Sequence, residues 1–112
     1  MPTLTNVGAN YDTIALSKEL GVAFLDLTGV TSIRFLVFVN KVGTGTQSWQ
    51  LWNVTNSAEL AVISDAGATG DKTLEVTQAI SGLAGVKLVR VRAKSTVLGD
   101  DPIFYGAAVW TT

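Results

Sequence analysis

The fold of this chain is decided by the stretch IRFLVFVNKV, residues 33–42. Period-2 alternation divides it into two largely apolar faces: Ile33, Phe35, Val37 and Val39 against Arg34, Leu36, Phe38 and Asn40. A strand that is apolar on both faces is typical of the middle of a sheet with both sides covered. The cover comes from the same chain or from a neighbouring one. The stretch therefore predicts a central strand, in a protein that assembles with copies of itself.

Strand signals recur along the rest of the chain at the spacing of about 8–12 residues that is typical of sandwiches and barrels. The other candidate strands are Thr13–Leu16, Val22–Leu27, Ser48–Thr55, Glu59–Ser64, Lys72–Ile80, Val86–Ser95 and Ile103–Trp110. The one passable helical window, Leu16–Leu20, is too short to be more than a turn. The pattern predicts an all-β, antiparallel two-sheet β-sandwich of jelly-roll type with about eight strands. An immunoglobulin-like sandwich is the alternative, although the Cys and Trp signature of true immunoglobulin domains is missing.

The length of 112 residues corresponds to one domain with one core. We expect residues 1–12 to form an N-terminal arm or lead-in and residues 13–112 to form the single sandwich domain. No internal repeat or linker interrupts this range.

Composition narrows the possible partners. Charged residues make up only 15% of the chain, against roughly 25% in average soluble domains, so part of the surface is expected to face another subunit. The net charge is −1 and the basic residues are scattered, which disfavours nucleic acid as a partner. The apolar runs are far shorter than the ~20 residues that span a bilayer, so no membrane partner is expected.

The sequence offers no recognisable catalytic apparatus. It has no Cys and no His, which excludes disulfides, Cys/His zinc sites and histidine-based proton transfer. Asp100-Asp101 could join Asp65 or Asp71 around a calcium ion, but Gly-Asp-Asp-Pro is also a common turn sequence, and we interpret it as a turn. We therefore predict a protein that is not an enzyme, with no cofactor and no metal site.

The candidate contact residues are aromatic. Exposed aromatic side chains stack on sugar rings and anchor protein interfaces, and the candidates of this kind are Trp49, Trp52, Tyr105 and Trp110. Trp49 and Trp52 are three residues apart, so a regular strand directs them to opposite faces of its sheet. We expect one of the two to lie in the core.

Two arginines complete the candidate set. Arg90 and Arg92 alternate with Val89 and Val91, so both guanidinium groups belong to one face of a strand. That face is either a solvated outer surface, covered by the long side chains, or the place of an ion pair between subunits. The sequence leaves both interpretations open.

Three stretches together resemble small jelly-roll proteins encoded among the virion structural genes of tailed bacteriophages. They are Thr31–Phe35, the segment GTGTQSWQLWN over residues 43–53, and DDPIFYGA over residues 100–107. The resemblance implies a virion location, after synthesis in the bacterial cytoplasm, and a role as a capsid decoration or cement protein. It also implies a homo-oligomer, with a trimer favoured, that binds the major capsid protein or another virion protein. It brings no catalytic residues.

A carbohydrate-binding or lectin-like module on a phage head fibre or tail is the alternative function. Jelly rolls commonly host glycan binding, and an exposed Trp or Tyr would supply the stacking surface.

Overall fold

The computed structural model describes residues 22–97 and 103–112. Over these ranges the chain forms seven strands and no helix. The strands are β1 (Val22–Asp26), β2 (Ser32–Lys41), β3 (Gln47–Asn53), β4 (Ala58–Asp65), β5 (Gly70–Ala79), β6 (Val86–Ser95) and β7 (Ile103–Thr111). The all-β prediction is confirmed.

The strands form two antiparallel sheets, one of four strands in the order β1-β6-β3-β4 and one of three in the order β5-β2-β7. This confirms the predicted two-sheet antiparallel architecture. Seven of the eight candidate strands are present, and β2 lies in the middle of its sheet. The eighth candidate, Thr13–Leu16, and the arm expected over residues 1–12 lie outside the described residues.

The strand pairs are nested along the chain. The innermost pair is β3 with β4, the pair around it is β2 with β5, and the next is β1 with β6. Among the seven described strands, only β3 and β4 are neighbours both in sequence and in a sheet. The immunoglobulin arrangement joins several sequential strands as sheet neighbours, so that alternative does not fit this strand order.

The core lies between the inner faces of the two sheets. Strand β2 contributes one complete face, and β3, β4 and β6 supply most of the opposing side. The buried members are Leu27, Ile33, Phe35, Val37, Val39, Trp49, Leu51, Leu60, Ala61, Ile63, Val89, Val91, Ala93 and Phe104. Where the pairing is regular, alternation therefore leaves every second side chain on the outer face of its sheet.

Candidate functional site

Trp49 is the core tryptophan of the pair in β3, because its side chain is 0% exposed. In the sheet register it lies between Ala93 of β6 and Ile63 of β4. A side chain without surface cannot contact a partner, so the inclusion of Trp49 among the candidate contacts was wrong. Trp52 lies on the outer face, where Arg92 covers its ring. The prediction that the two rings point to opposite faces is confirmed.

The outer side of the three-stranded sheet carries an exposed group that we call the aromatic face, formed by Phe38, Tyr105 and Trp110. Their side chains are 42%, 39% and 47% exposed, respectively. Phe38 comes from β2 and the other two from β7. Phe38 was missing from the candidates, although its position between the buried Val37 and Val39 was the signal that could have identified it.

A β-bulge brings Tyr105 onto this face. Tyr105 and Trp110 are five residues apart, so a regular strand would direct them to opposite faces. The register between β2 and β7 shifts where Phe104, opposite Val39, is followed by Gly106, opposite Phe38. Tyr105 is the extra residue at this shift, and its side chain points outward whereas that of Phe104 is buried. Bulges commonly redirect a side chain in this way.

The ring of Trp110 is held by a neighbouring ion pair. The guanidinium carbon of Arg34 lies 4.7 Å from the ring centroid, at cation–π distance. Arg34 donates to Glu75 Oε2 from Nε at 2.8 Å and from Nη2 at 2.5 Å. Glu75 belongs to β5, so the contact spans all three strands of the sheet. The indole thus lies against an ion pair that is itself about half-exposed.

The hydroxyl of Tyr105 is held at the other end of the same face. It donates to Asp71 Oδ1 at 2.9 Å, and Asn40 Nδ2 donates to the same oxygen at 2.8 Å. Two hydrogen bonds lower the pKa of Asp71, the one from Asn40 more than the one from Tyr105. The bond to Asp71 in turn raises the pKa of Tyr105, so at neutral pH a carboxylate accepts from a neutral phenol.

A shallow depression of about 250 Å³ lies beside Tyr105. Its walls are Phe38, Val39, Asp71, Lys72, Thr73 and Tyr105. An aromatic wall next to a carboxylate suits a ligand with both an apolar surface and hydroxyl groups.

The two carboxylates of this face are poorly placed for glycoside hydrolysis. Asp71 and Glu75 are four residues apart on β5, which separates them by about 13 Å along the strand. Hydrolytic carboxylate pairs lie about 5–9.5 Å apart. Each is also already paired, Asp71 with Asn40 and Tyr105, and Glu75 with Arg34. Asp71 and Glu75 are therefore not arranged as a hydrolytic pair.

The remaining candidates lie on the opposite side of the sandwich, on what we call the arginine face: Trp52, Arg90 and Arg92. The guanidinium carbon of Arg92 lies 4.0 Å from the centroid of the Trp52 ring, and its Nε donates to Gln50 Oε1 at 3.0 Å. Both arginines lie on the outer face, while Val89 and Val91 are buried as the alternation predicts. An ion pair between subunits stays a prediction.

The candidates thus divide between two opposite faces. Tyr105 and Trp110 belong to the three-stranded sheet, whereas Trp52, Arg90 and Arg92 belong to the four-stranded sheet. One ligand cannot contact both groups. The aromatic face has the more accessible rings, because Tyr105 and Trp110 are exposed whereas Trp52 is half-buried.

The calcium interpretation involves two carboxylates that the structure pairs with other groups. Asp65 Oδ2 is bound by Lys72 Nζ at 2.6 Å, and Asp71 is engaged by Asn40 and Tyr105. Asp100 and Asp101 lie outside the described residues. Within residues 22–97 and 103–112, no three acidic side chains are grouped to hold a metal, and no helix could cross a bilayer.

Comparisons with known proteins give no match. No protein-family model fits the chain, and neither the curated proteins nor the solved structures contain a significant relative. No relative therefore lends this chain a function, a ligand or a partner.

Proposed function

We propose that this protein is a structural component of a tailed-phage particle, a capsid decoration or cement protein that binds the shell as a homo-oligomer. The observation that carries the proposal is the aromatic face. Three exposed aromatic side chains share one sheet surface, and the carboxylates beside them, Asp71 and Glu75, are each already paired. Tyr, Trp and Phe are enriched at interface centres, and the charged residues beside these rings, Arg34, Glu75 and Asp71, each have a partner within the chain.

The support beneath these side chains favours tight contact. Arg34 and Glu75 hold the Trp110 ring, and Asp71 holds the Tyr105 hydroxyl. Side chains that are already ordered lose less conformational entropy when they bind. The low charge of the chain also agrees with a surface that is partly covered in the assembled particle.

We also propose that the sandwich is a jelly roll. A jelly roll consists of two Greek keys over eight strands, with nested pairs that wind together. The described pairs β1·β6, β2·β5 and β3·β4 match three of the four nested pairs of that design. Strand β7 would then correspond to the last strand of that design, which in a complete jelly roll has a further neighbour on the side away from the position of β2. Within the described residues, β7 has no partner on that side.

Co-sedimentation with shells tests the proposed function. Purified protein is mixed with empty capsids that lack this protein. The capsids are assembled from the capsid protein that the same genome encodes. We expect Trp110→Ala and Phe38→Ser each to weaken binding at least about tenfold, since buried aromatic anchors contribute 2 kcal/mol or more at interfaces. Phe24→Ser is the matched control, because Phe24 is 73% exposed but lies on β1 in the other sheet.

The oligomeric state is measured separately, by size-exclusion chromatography with light scattering. The resemblance to virion proteins favours a trimer, and either a dimer or a trimer agrees with the proposed function. A strictly monomeric protein that does not sediment with shells would refute the proposed function.

Glycan binding is the second candidate, favoured by the depression beside Tyr105. Sugar rings stack on aromatic side chains, and sugar hydroxyls donate hydrogen bonds to carboxylates. The depression has both elements, an aromatic wall and the carboxylate of Asp71. Titration with a glycan panel, followed by tryptophan and tyrosine fluorescence, tests it. Binding that Tyr105→Ala abolishes and Trp52→Ala leaves intact would support it, and the absence of any response would leave the assembly function ahead.

A further inference from the structure

Strand β5 forms an open edge of the three-stranded sheet. It pairs with β2 along all ten residues, Gly70–Ala79, without a register shift. On its other side no strand of the described residues pairs with it. A long unpaired edge is a template for pairing with another chain.

The hydrogen bonds of β2 define which groups of β5 are free. Ser32 and Thr112 exchange two backbone hydrogen bonds of 3.1 Å, so the backbone groups of Ser32 point toward β7. Along an antiparallel strand, the N–H and C=O groups of successive residues point to alternate sides. The N–H and C=O of Ile33 therefore point toward β5, where Gln78 is the opposite residue. The even-numbered residues of β5 therefore bond to β2. The odd-numbered residues, 71–79, direct their N–H and C=O groups to the open edge.

This edge lacks three of the features by which proteins usually prevent pairing, although its charged residues Asp71, Lys72 and Glu75 are a fourth such feature. Edge strands are commonly short, bulged or interrupted by proline. Strand β5 has ten residues, a regular register and no proline. Its outward side chains Thr73, Glu75 and Thr77 are exposed.

We propose that β5 pairs antiparallel with β5 of a second copy, around a twofold axis normal to the sheet that passes through Leu74. Two nearby registers are disfavoured by like charges. An axis at Glu75 places this residue opposite itself, and an axis at Thr73 places Asp71 opposite Glu75 of the second copy. With the axis at Leu74, Thr73 lies opposite Glu75 and Asp71 lies opposite Thr77.

The proposed register also covers apolar surface on the inner side of the strand. Leu74 and Val76 are only partly buried, although they pack against the core. In the pair, each Leu74 contacts Leu74 of the second copy, and each Val76 packs on the stem of Lys72. The four odd-numbered residues 71–77 of each copy would complete their backbone hydrogen bonds across the edge.

The pairing has a consequence for the aromatic face. Because the axis is normal to the sheet, the two three-stranded sheets join into one of six strands, with both aromatic faces on the same side. A dimer of this form would contact a shell with two aromatic faces at once, which raises its avidity. This consequence rests on the proposed function, whereas the pairing itself does not.

Cysteine cross-linking tests the register in this cysteine-free chain. Residues 74 of the two copies form a non-hydrogen-bonded pair, with Cα atoms about 4.5 Å apart, which is within disulfide range. Residues 76 would lie about 13 Å apart, four residues along the strand. With oxidised glutathione as the oxidant, we expect Leu74→Cys to give a covalent dimer on a non-reducing gel and Val76→Cys to give none. Cross-linking of Val76→Cys as complete as that of Leu74→Cys would overturn the register.

A pair of proline variants tests the edge. Thr73→Pro removes an N–H from the open edge and leaves the bonds to β2 in place, so we expect a folded monomer by circular dichroism and light scattering. Val76→Pro removes an N–H that bonds to β2, so we expect it to lower the stability of the fold itself. A Thr73→Pro protein that remains dimeric would overturn the proposal.

The failure of this inference is distinct from that of the proposed function. A wild-type protein that is a monomer or a trimer in solution, but sediments with shells, would overturn the β5 pairing and leave the shell-binding function intact. A Leu74-linked dimer that does not bind shells would support the pairing and refute the function.

Discussion

Replacement of Trp49 by alanine is expected to be strongly destabilising. The indole is 0% exposed and packs in the core between the two sheets. Truncation of a buried aromatic residue to alanine lowers the free energy of unfolding by about 3–5 kcal/mol, through lost burial and the cavity that remains. In a domain of 112 residues, this corresponds to a fall in Tm of about 12–20 °C.

Trp110→Ala is the matched control, with the same change made on the outer face. Trp110 is 47% exposed, and its removal leaves no closed cavity. We expect a loss of about 1–2 kcal/mol, since only half of the side chain leaves a protein environment. Urea unfolding followed by far-UV circular dichroism measures both variants without relying on tryptophan fluorescence. Equal losses for the two variants would refute the assignment of Trp49 to the core and of Trp110 to the surface.

Two further predictions concern acid stability and backbone conformation. Burial alone would raise the pKa of Asp65, but the hydrogen bonds from Lys72 and the Gly67 N–H, with the lysine charges, lower it. Its stabilising effect is therefore complete above its unfolded pKa of about 3.9 and is lost as the pH falls through the lower folded value. Thermal unfolding of Asp65→Asn should accordingly depend less on pH below about 4 than that of the wild type, and parallel curves would contradict this. Gly82 has φ +71°, so Gly82→Ala should lower the free energy of unfolding by about 1 kcal/mol. Gly106 has an ordinary φ and open space around it, so Gly106→Ala should leave the free energy of unfolding unchanged. A urea midpoint that falls more for Gly106→Ala than for Gly82→Ala would refute the strain argument.

The strands could be predicted because their signals are local. Alternation over residues 33–42 predicts a central strand, and the same rule separates Trp49 from Trp52. It also places Arg90 and Arg92 on one face. Each of these conclusions depends on neighbours two or three residues away, which the sequence displays directly.

The strand pairing could not be predicted in the same way. Arg34 and Trp110 are cross-strand neighbours although most of the chain lies between them. Which strands join which sheet depends on the packing of all inner faces at once, and alternation along one strand contains no information on this. The division of the candidate residues between two opposite faces follows from the pairing alone.

The sequence by itself thus determined the strand content, the alternation and the low charge of the surface, because these depend on side-chain type and short-range geometry. Only the tertiary structure decided that Tyr105 joins Phe38 and Trp110 on one face. The bulge at Tyr105 reverses the alternation of β7, and it arises from the register between β7 and β2. A residue's face is therefore fixed by local geometry only where the pairing is regular.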